Sequence, residues 1–90
     1  MTNHGGYAVR IKRSAEREMD RLPRSALTRI QKSILALERN PRPVGVQKLQ
    51  GISQYRIRVG DFRVLYTIDD RSLIVEVVAV GHRRDVYRGL

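Results

Sequence analysis

Cysteine and tryptophan are absent from this chain, phenylalanine occurs once and histidine only twice. Without cysteine there is no disulfide and no thiolate metal site, so the fold is held by its core and its backbone hydrogen bonds. No apolar run approaches the roughly 20 residues that span a bilayer, and nothing near Met1 has the order of a secretory leader. A soluble, cytoplasmic protein without membrane contact is expected. There is no glycine-rich phosphate loop, no nucleophile elbow and no zinc ligand set. Neither a metal nor an organic cofactor is expected. Acidic residues are also scarce: 9 Asp and Glu stand against 18 Lys and Arg, for a net charge of +9 and a pI near 11.1.

That excess points to an anionic partner: nucleic acid, an acidic protein or an anionic surface. The basic residues run through the whole chain, so the field belongs to a folded surface and not to a tail. Arginine outnumbers lysine 15 to 3. A rigid guanidinium fork matches phosphate bidentately, which favours phosphate as the target.

Ninety residues make one domain, taken as 1–90 with 1–6 as a flexible tail in which His4 has no role. Tyr7 to Lys12 alternates as a strand. Ser14 is a candidate N-cap for a helix carrying Ala15, Met19 and Leu22, which Pro23 ends. From Arg24 to Asn40, Leu27, Ile30, Ile34 and Leu37 keep the 3.6-residue period of an amphipathic helix, and Pro41 and Pro43 forbid its continuation. Val44 to Ser53 reads as a connector. Asp69-Asp70-Arg71-Ser72 reads as turn chemistry, ahead of the apolar strand Leu73 to Val80. The order β-α-α-β-β-β implies an α+β domain: an antiparallel β-sheet with an N-terminal helical hairpin packed on one face.

Tyr55 to Val59 and Phe62 to Tyr66 form two alternating segments joined at Gly60-Asp61, where a glycine in first place fits a type II′ turn. The register then pairs Val59 with Phe62, Arg58 with Arg63 and Ile57 with Val64. Tyr55, Ile57, Val59, Phe62, Val64 and Tyr66 share one face, and Arg56, Arg58 and Arg63 the other. Like charges placed opposite each other cost about 0.2–1 kcal/mol. Three arginines on one face therefore point to a polyanion site, against the plainer reading of a solvated face. Glu76 is either an ion-pair partner for a sheet arginine or a proton acceptor, the former being the commoner role. The last strand can bring His82, Arg83 and Tyr87 to the rim of the arginine face. Such a patch has the means to cleave RNA: arginines for phosphorane charge, histidine for proton transfer, tyrosine for stacking. His82 is equally readable as a surface residue, and Tyr87 as a C-terminal anchor.

The blocks Lys48-Leu49-x-Gly51, Tyr55 to Tyr66 and Val80-Gly81-His82-Arg83-x-Asp85-Val86-Tyr87 resemble the RelE toxins of prokaryotic toxin–antitoxin pairs, over about Tyr7 to Tyr87. The resemblance implies the RelE/ParE fold and a metal-independent, ribosome-dependent mRNA endonuclease that cuts A-site codons. Attack would come from the ribose 2′-hydroxyl, leaving a 2′,3′-cyclic phosphate. It also implies an acidic, RelB-like antitoxin. By position, Arg56 and Arg58 match basic residues around the scissile phosphate, Arg63 and Arg83 match catalytic arginines, and Tyr87 matches the tyrosine that orients the nucleotide. Lys48 and Arg84 complete the expected RNA-binding set. Arginine where relatives often have lysine at 56 rules against a lysine-type base, since guanidinium stays protonated; His82 would take that part. Two other readings stand beside it: a ParE-like toxin acting on DNA gyrase, and a non-catalytic basic RNA-binding module.

Overall fold

The period that runs through Leu27, Ile30 and Ile34 builds the longer of two helices and turns that stripe onto a sheet. In the computed structural model, which describes residues 6–86, the elements run β1 (Ala8–Ile11), α1 (Arg13–Asp20), α2 (Arg24–Ala36), β2 (Gln47–Lys48), β3 (Tyr55–Val59), β4 (Phe62–Asp69) and β5 (Ile74–His82). The α+β class and the helical hairpin on one face are as expected. The sheet itself is mixed, in the order β1-β5-β4-β3-β2. Its four later strands are antiparallel, but β1 runs parallel to β5, Ala8 beside Ile74 through Ile11 beside Val77. A parallel pair needs a long crossover, here everything between Lys12 and Leu73, so no local pattern announces it. The expected connector contributes the edge strand β2, paired to β3. Most of the expected tail (1–5) and Tyr87 lie outside the described residues.

Local expectations at the helices shift by a turn or less. Lys12, not Ser14, occupies the N-cap of α1, with no side-chain cap, and Ser14 lies inside the first turn. The α2 helix gives way to a turn after Ala36, short of Asn40. Eight residues are too few for a helix to persist alone, so α1 depends on its seat. Ala15 and Met19 are buried against the sheet. From the same helix, the Glu18 carboxylate accepts the backbone N–H of Val80 at 2.9 Å. The β1 pairing of β5 stops at Val77, so Glu18 supplies an acceptor to a stretch of β5 that β1 no longer reaches.

One irregularity shapes the sheet. Leu65 pairs with Ala79 but Tyr66 pairs with Val77, leaving Val78 as an extra residue in β5. Such a bulge inverts which residues of a strand face inward. Before it Val75 and Val77 are buried; after it Val80 is. Leu73 to Val80 looked like a strand covered on both faces, yet Val78 and Ala79 are only partly buried.

The far end of the sheet is closed by a clasp. Arg42 grips Asp70 bidentately, at 3.1 and 2.9 Å, and lies 5.3 Å from the centre of the Tyr55 ring. The Tyr7 hydroxyl donates to Asp70 at 2.6 Å. Tyr55 stacks on Tyr66 at 5.9 Å, and the fully buried Tyr66 donates to the Pro41 carbonyl at 2.6 Å. Burial pushes the Tyr66 hydroxyl up to about 12. Asp69 accepts the N–H groups of Arg71 and Ser72 at 3.0 Å each, so that residue is turn chemistry as expected, while Asp70 is the clasp. No helix among the described residues is long and apolar enough to cross a membrane.

Two outcomes follow for stability. The Arg42 guanidinium, then the Tyr7 hydroxyl, hold Asp70 down to about 2 from 3.8. A depressed carboxylate stabilises the fold fully above its unfolded value and loses that contribution as pH falls through its folded value. Urea midpoints of the wild type should therefore drop between about pH 4 and pH 2, and Asp70→Asn should flatten the slope in that window. Separately, Glu18→Ala strips a partly buried N–H of its acceptor and should cost about 1–2 kcal/mol in denaturant titration. Glu18→Gln, which keeps an accepting oxygen, should recover most of it.

Candidate nucleic-acid interface

The hairpin forms in the expected register: Val59 opposite Phe62, Arg58 opposite Arg63, Ile57 opposite Val64. Gly60 has φ of +60°, as the first loop position of a type II′ turn requires. The helices pack on the Tyr55, Ile57, Val59, Phe62 and Val64 side: α1 lies against β5, and α2 against β3 and β4. Arg56, Arg58 and Arg63 consequently stand together on the face that the helices leave uncovered. Small residues flank them on β5, Gly81 beside Arg63 and Ala79 beside Leu65, and Val86 of the following turn packs over Gly81.

Each arginine is held differently. Arg58 is exposed. Arg56 is partly buried and donates to the Gln47 side-chain oxygen of β2. Arg63 folds back on its own hairpin, donating to the Gly60 carbonyl at 3.3 Å and the Phe62 carbonyl at 3.1 Å. The hairpin loop also receives Arg83, whose backbone N–H donates to the Asp61 carbonyl at 2.9 Å and whose side chain is exposed. Two carbonyls of one two-residue loop thus hold the Arg63 guanidinium and the Arg83 main chain. The loop is pressed from behind by Arg29 of α2, whose guanidinium would lie 3.2 Å from a Cβ added at Gly60.

Three expected members are placed elsewhere. His82 pairs with Phe62 and meets its ring edge to face at 5.9 Å, so it lies on the helix-packed face, across the sheet from the arginines. The bulge is the reason, because strict alternation from Val75 and Val77 would have turned His82 the other way. The expected position of His82 at the rim of the arginine face is therefore not the one it takes. Lys48 pairs with Tyr55 and shares that residue's face, not that of Arg56; the sequence block placed it near the arginines without fixing its side. Arg84 is exposed in the turn after β5, and its N–H donates to His82 Nδ1 at 3.3 Å. Tyr87 lies outside the described residues. Glu76 stands opposite Thr67 and beside Arg10 in the two ladders.

Gln47 and Arg42 were not legible as partners in the sequence. Gln47 becomes one only through the short β2 pairing, and Arg42 only through contact with a turn 28 residues away. A cleft of about 510 Å³ opens between α2 and β3, lined by Ser33, Ala36, Ile57, Arg58 and Gln47. Glu76, opposite Thr67 and beside Arg10, shares the arginine side of the sheet, but the arginines outnumber it, so the face carries a positive excess that can bind and stabilise phosphate oxygens.

Comparison with known proteins identifies the family. The family described as the ParE toxin of the parDE type II toxin–antitoxin system matches residues 9–87. Toxin RelG of Mycobacterium tuberculosis is 33% identical over 84 residues, covering 91% of this chain and 97% of that protein. Toxin RelE of the same organism is 32% identical over 92 residues, covering 98% and 93%. Among solved structures, the RelBE2 toxin–antitoxin complex of M. tuberculosis superposes with a TM-score of 0.78 at 30% identity, covering 87% of this chain and 99% of that one. An archaeal RelE–RelB complex from Pyrococcus horikoshii also gives 0.78, at 27% identity and 89% and 98% coverage. With the two-helix, five-stranded fold, the uncovered arginine face and these matches together, the chain belongs to the RelE/ParE family of type II toxin–antitoxin toxins and is a toxin of RelE type.

Proposed function

We propose that the chain is a ribosome-dependent mRNA endonuclease that cuts codons in the A site. The observation that carries this reading is the clustering of Arg56, Arg58 and Arg63 on the uncovered sheet face, with Arg83 tied to the same hairpin loop. The 2′-hydroxyl of the substrate attacks the adjacent phosphate, the bond to the 5′-oxygen breaks, and a 2′,3′-cyclic phosphate and a 5′-hydroxyl result. Charge building on the phosphate oxygens is met by Arg63, whose guanidinium is preorganised by two backbone carbonyls, and by Arg83, whose main chain is tied to the hairpin loop. Arg56 and Arg58 hold the flanking backbone; Tyr87 stacks on or orients the nucleotide, a role resting on the family resemblance. The chemistry draws on no metal. The partner in the resting cell is an acidic, RelB-like antitoxin. Solved relatives are RelB–RelE complexes, and a cationic face of this kind suits an acidic segment.

The family description names ParE, so a toxin that acts on DNA gyrase is the second reading. Primer extension on programmed ribosomes separates the two. Wild type should cut within the A-site codon, while Arg63→Ala and Arg83→Ala should each cut slower by on the order of 10²-fold, the usual loss for one charge-stabilising donor. Arg83→Ala should leave stability within about 0.5 kcal/mol, and Arg63→Ala, which gives up two backbone contacts, should lose about 1 kcal/mol. Absence of cuts from folded wild type, with gyrase-dependent double-strand breaks, would move the assignment to the ParE-like branch.

A further inference from the structure

The turn that carries Arg83 is held by the imidazole of the residue before it. His82 ends β5, and its carbonyl accepts the N–H groups of Asp85 at 2.8 Å and Val86 at 3.0 Å. Its side chain accepts a third, Arg84 N–H to Nδ1 at 3.3 Å. An accepting Nδ1 places the ring proton on Nε2. The ring itself is fixed edge to face against Phe62, in a cleft of about 340 Å³ that also involves Glu18, Arg21, Asp85 and Val86. From the other side, Arg83 N–H reaches Asp61 in the hairpin loop at 2.9 Å. Every backbone N–H from Arg83 to Val86 thus has an acceptor, and three of the four hydrogen bonds are accepted by His82.

From this we propose that His82 is a positioning residue for Arg83. It acts as a side-chain cap that sets the turn's direction after β5 and thereby the side on which Arg83 emerges next to Arg63. The proposal rests on the nuclease reading for its consequence, but not for its geometry. A turn that lets go of Arg84 N–H keeps the Asp61 contact and the two bonds to the His82 carbonyl, but loses the one that fixes the residue next to Arg83. Displacement of a charge-stabilising group by about 1 Å is enough to cost up to 10²-fold in rate. His82 acts from the helix-packed face through the chain, with no contact to the phosphate.

Two substitutions split the side chain's functions. His82→Asn retains an acceptor that can reach the N–H two residues on, as asparagine does in turns, but loses the ring. His82→Phe retains a ring against Phe62 but has no acceptor. On ribosome-bound message, His82→Phe and His82→Ala should lower the single-turnover cleavage rate about tenfold or more, the scale of one lost orienting hydrogen bond. His82→Asn should stay within about threefold of wild type, with the same dependence of rate on pH. A general base could not be replaced by a carboxamide, so an inactive, folded His82→Asn would overturn the proposal in favour of proton transfer. Phe and Ala variants that cut like wild type would overturn it outright. Amide exchange at Arg84, measured on the free toxin, tests the geometry whether or not message is cut. Protection should be present in wild type and His82→Asn and lost in His82→Phe, and equal exchange in all three would overturn the cap. Failure of wild type to cut any message is a different result, which refutes the nuclease reading while the exchange pattern still decides the turn.

Discussion

The ladder between β4 and β5 slips by one residue between Leu65 and Tyr66, and the composition of both faces follows from that slip. A strand with period two can serve one core only as long as its parity is unbroken. In β5 the extra Val78 changes the parity midway, so Val75 and Val77 on one side of it and Val80 on the other all reach the same core. It sends Gly81 to the arginine face beside Arg63, and His82 to the helix side beside Phe62. A smooth β5 would exchange those two. The site would then have an imidazole where Val86 now packs over a glycine, and the turn after β5 would lose its cap. Bulges recur next to functional sites for this reason: they aim a side chain that regular pairing would aim elsewhere.

Acidic groups are few, and the structure uses several of them for architecture. Asp70 is gripped by Arg42, Asp69 closes its own turn and Glu18 serves Val80. Their work is done at the sheet's far end and on the helix side. The arginine face is left with its charge uncompensated by those groups. A cluster of like charges is tolerated here because long guanidinium stems stay partly in water and their ends find carbonyl or amide oxygens. Arg63 on Gly60 and Phe62, and Arg56 on Gln47, are examples. Such contacts orient a cation without neutralising it, which suits a surface that waits for phosphate or for the acidic segment of a partner.

Toxins of this family pose a problem of economy. About 90 residues must bury a core, present a reactive surface and accept an inhibitor. Helices on one face of the sheet leave the other face for the second and third tasks. The core carries large fully buried side chains such as Tyr66, Ile30 and Leu37, each worth ~1.5–3 kcal/mol of burial. The site, by contrast, is built from outward-facing positions of β3 and β4 and the turn after β5.

The sequence alone determined the elements that depend on near neighbours. The α2 helix, the Gly60-Asp61 hairpin with its register, the Asp69 turn and the separation of three arginines from the apolar residues of β3 and β4 were all legible. Helical periodicity, strand alternation and turn chemistry act over a few residues, so their physics is written locally. The overall class was legible for the same reason, by adding such pieces in order. The parallel β1–β5 pair, the edge strand β2, the Arg42–Asp70 clasp and the Glu18 contact were not, because each joins segments whose proximity exists only after folding. The face assigned to His82 belongs with them. It depends on where an unbroken apolar run of β5 slips against β4, and valines on both sides of the slip look alike in sequence. Only the packing of two helices against one side of the sheet decides which of them turn inward.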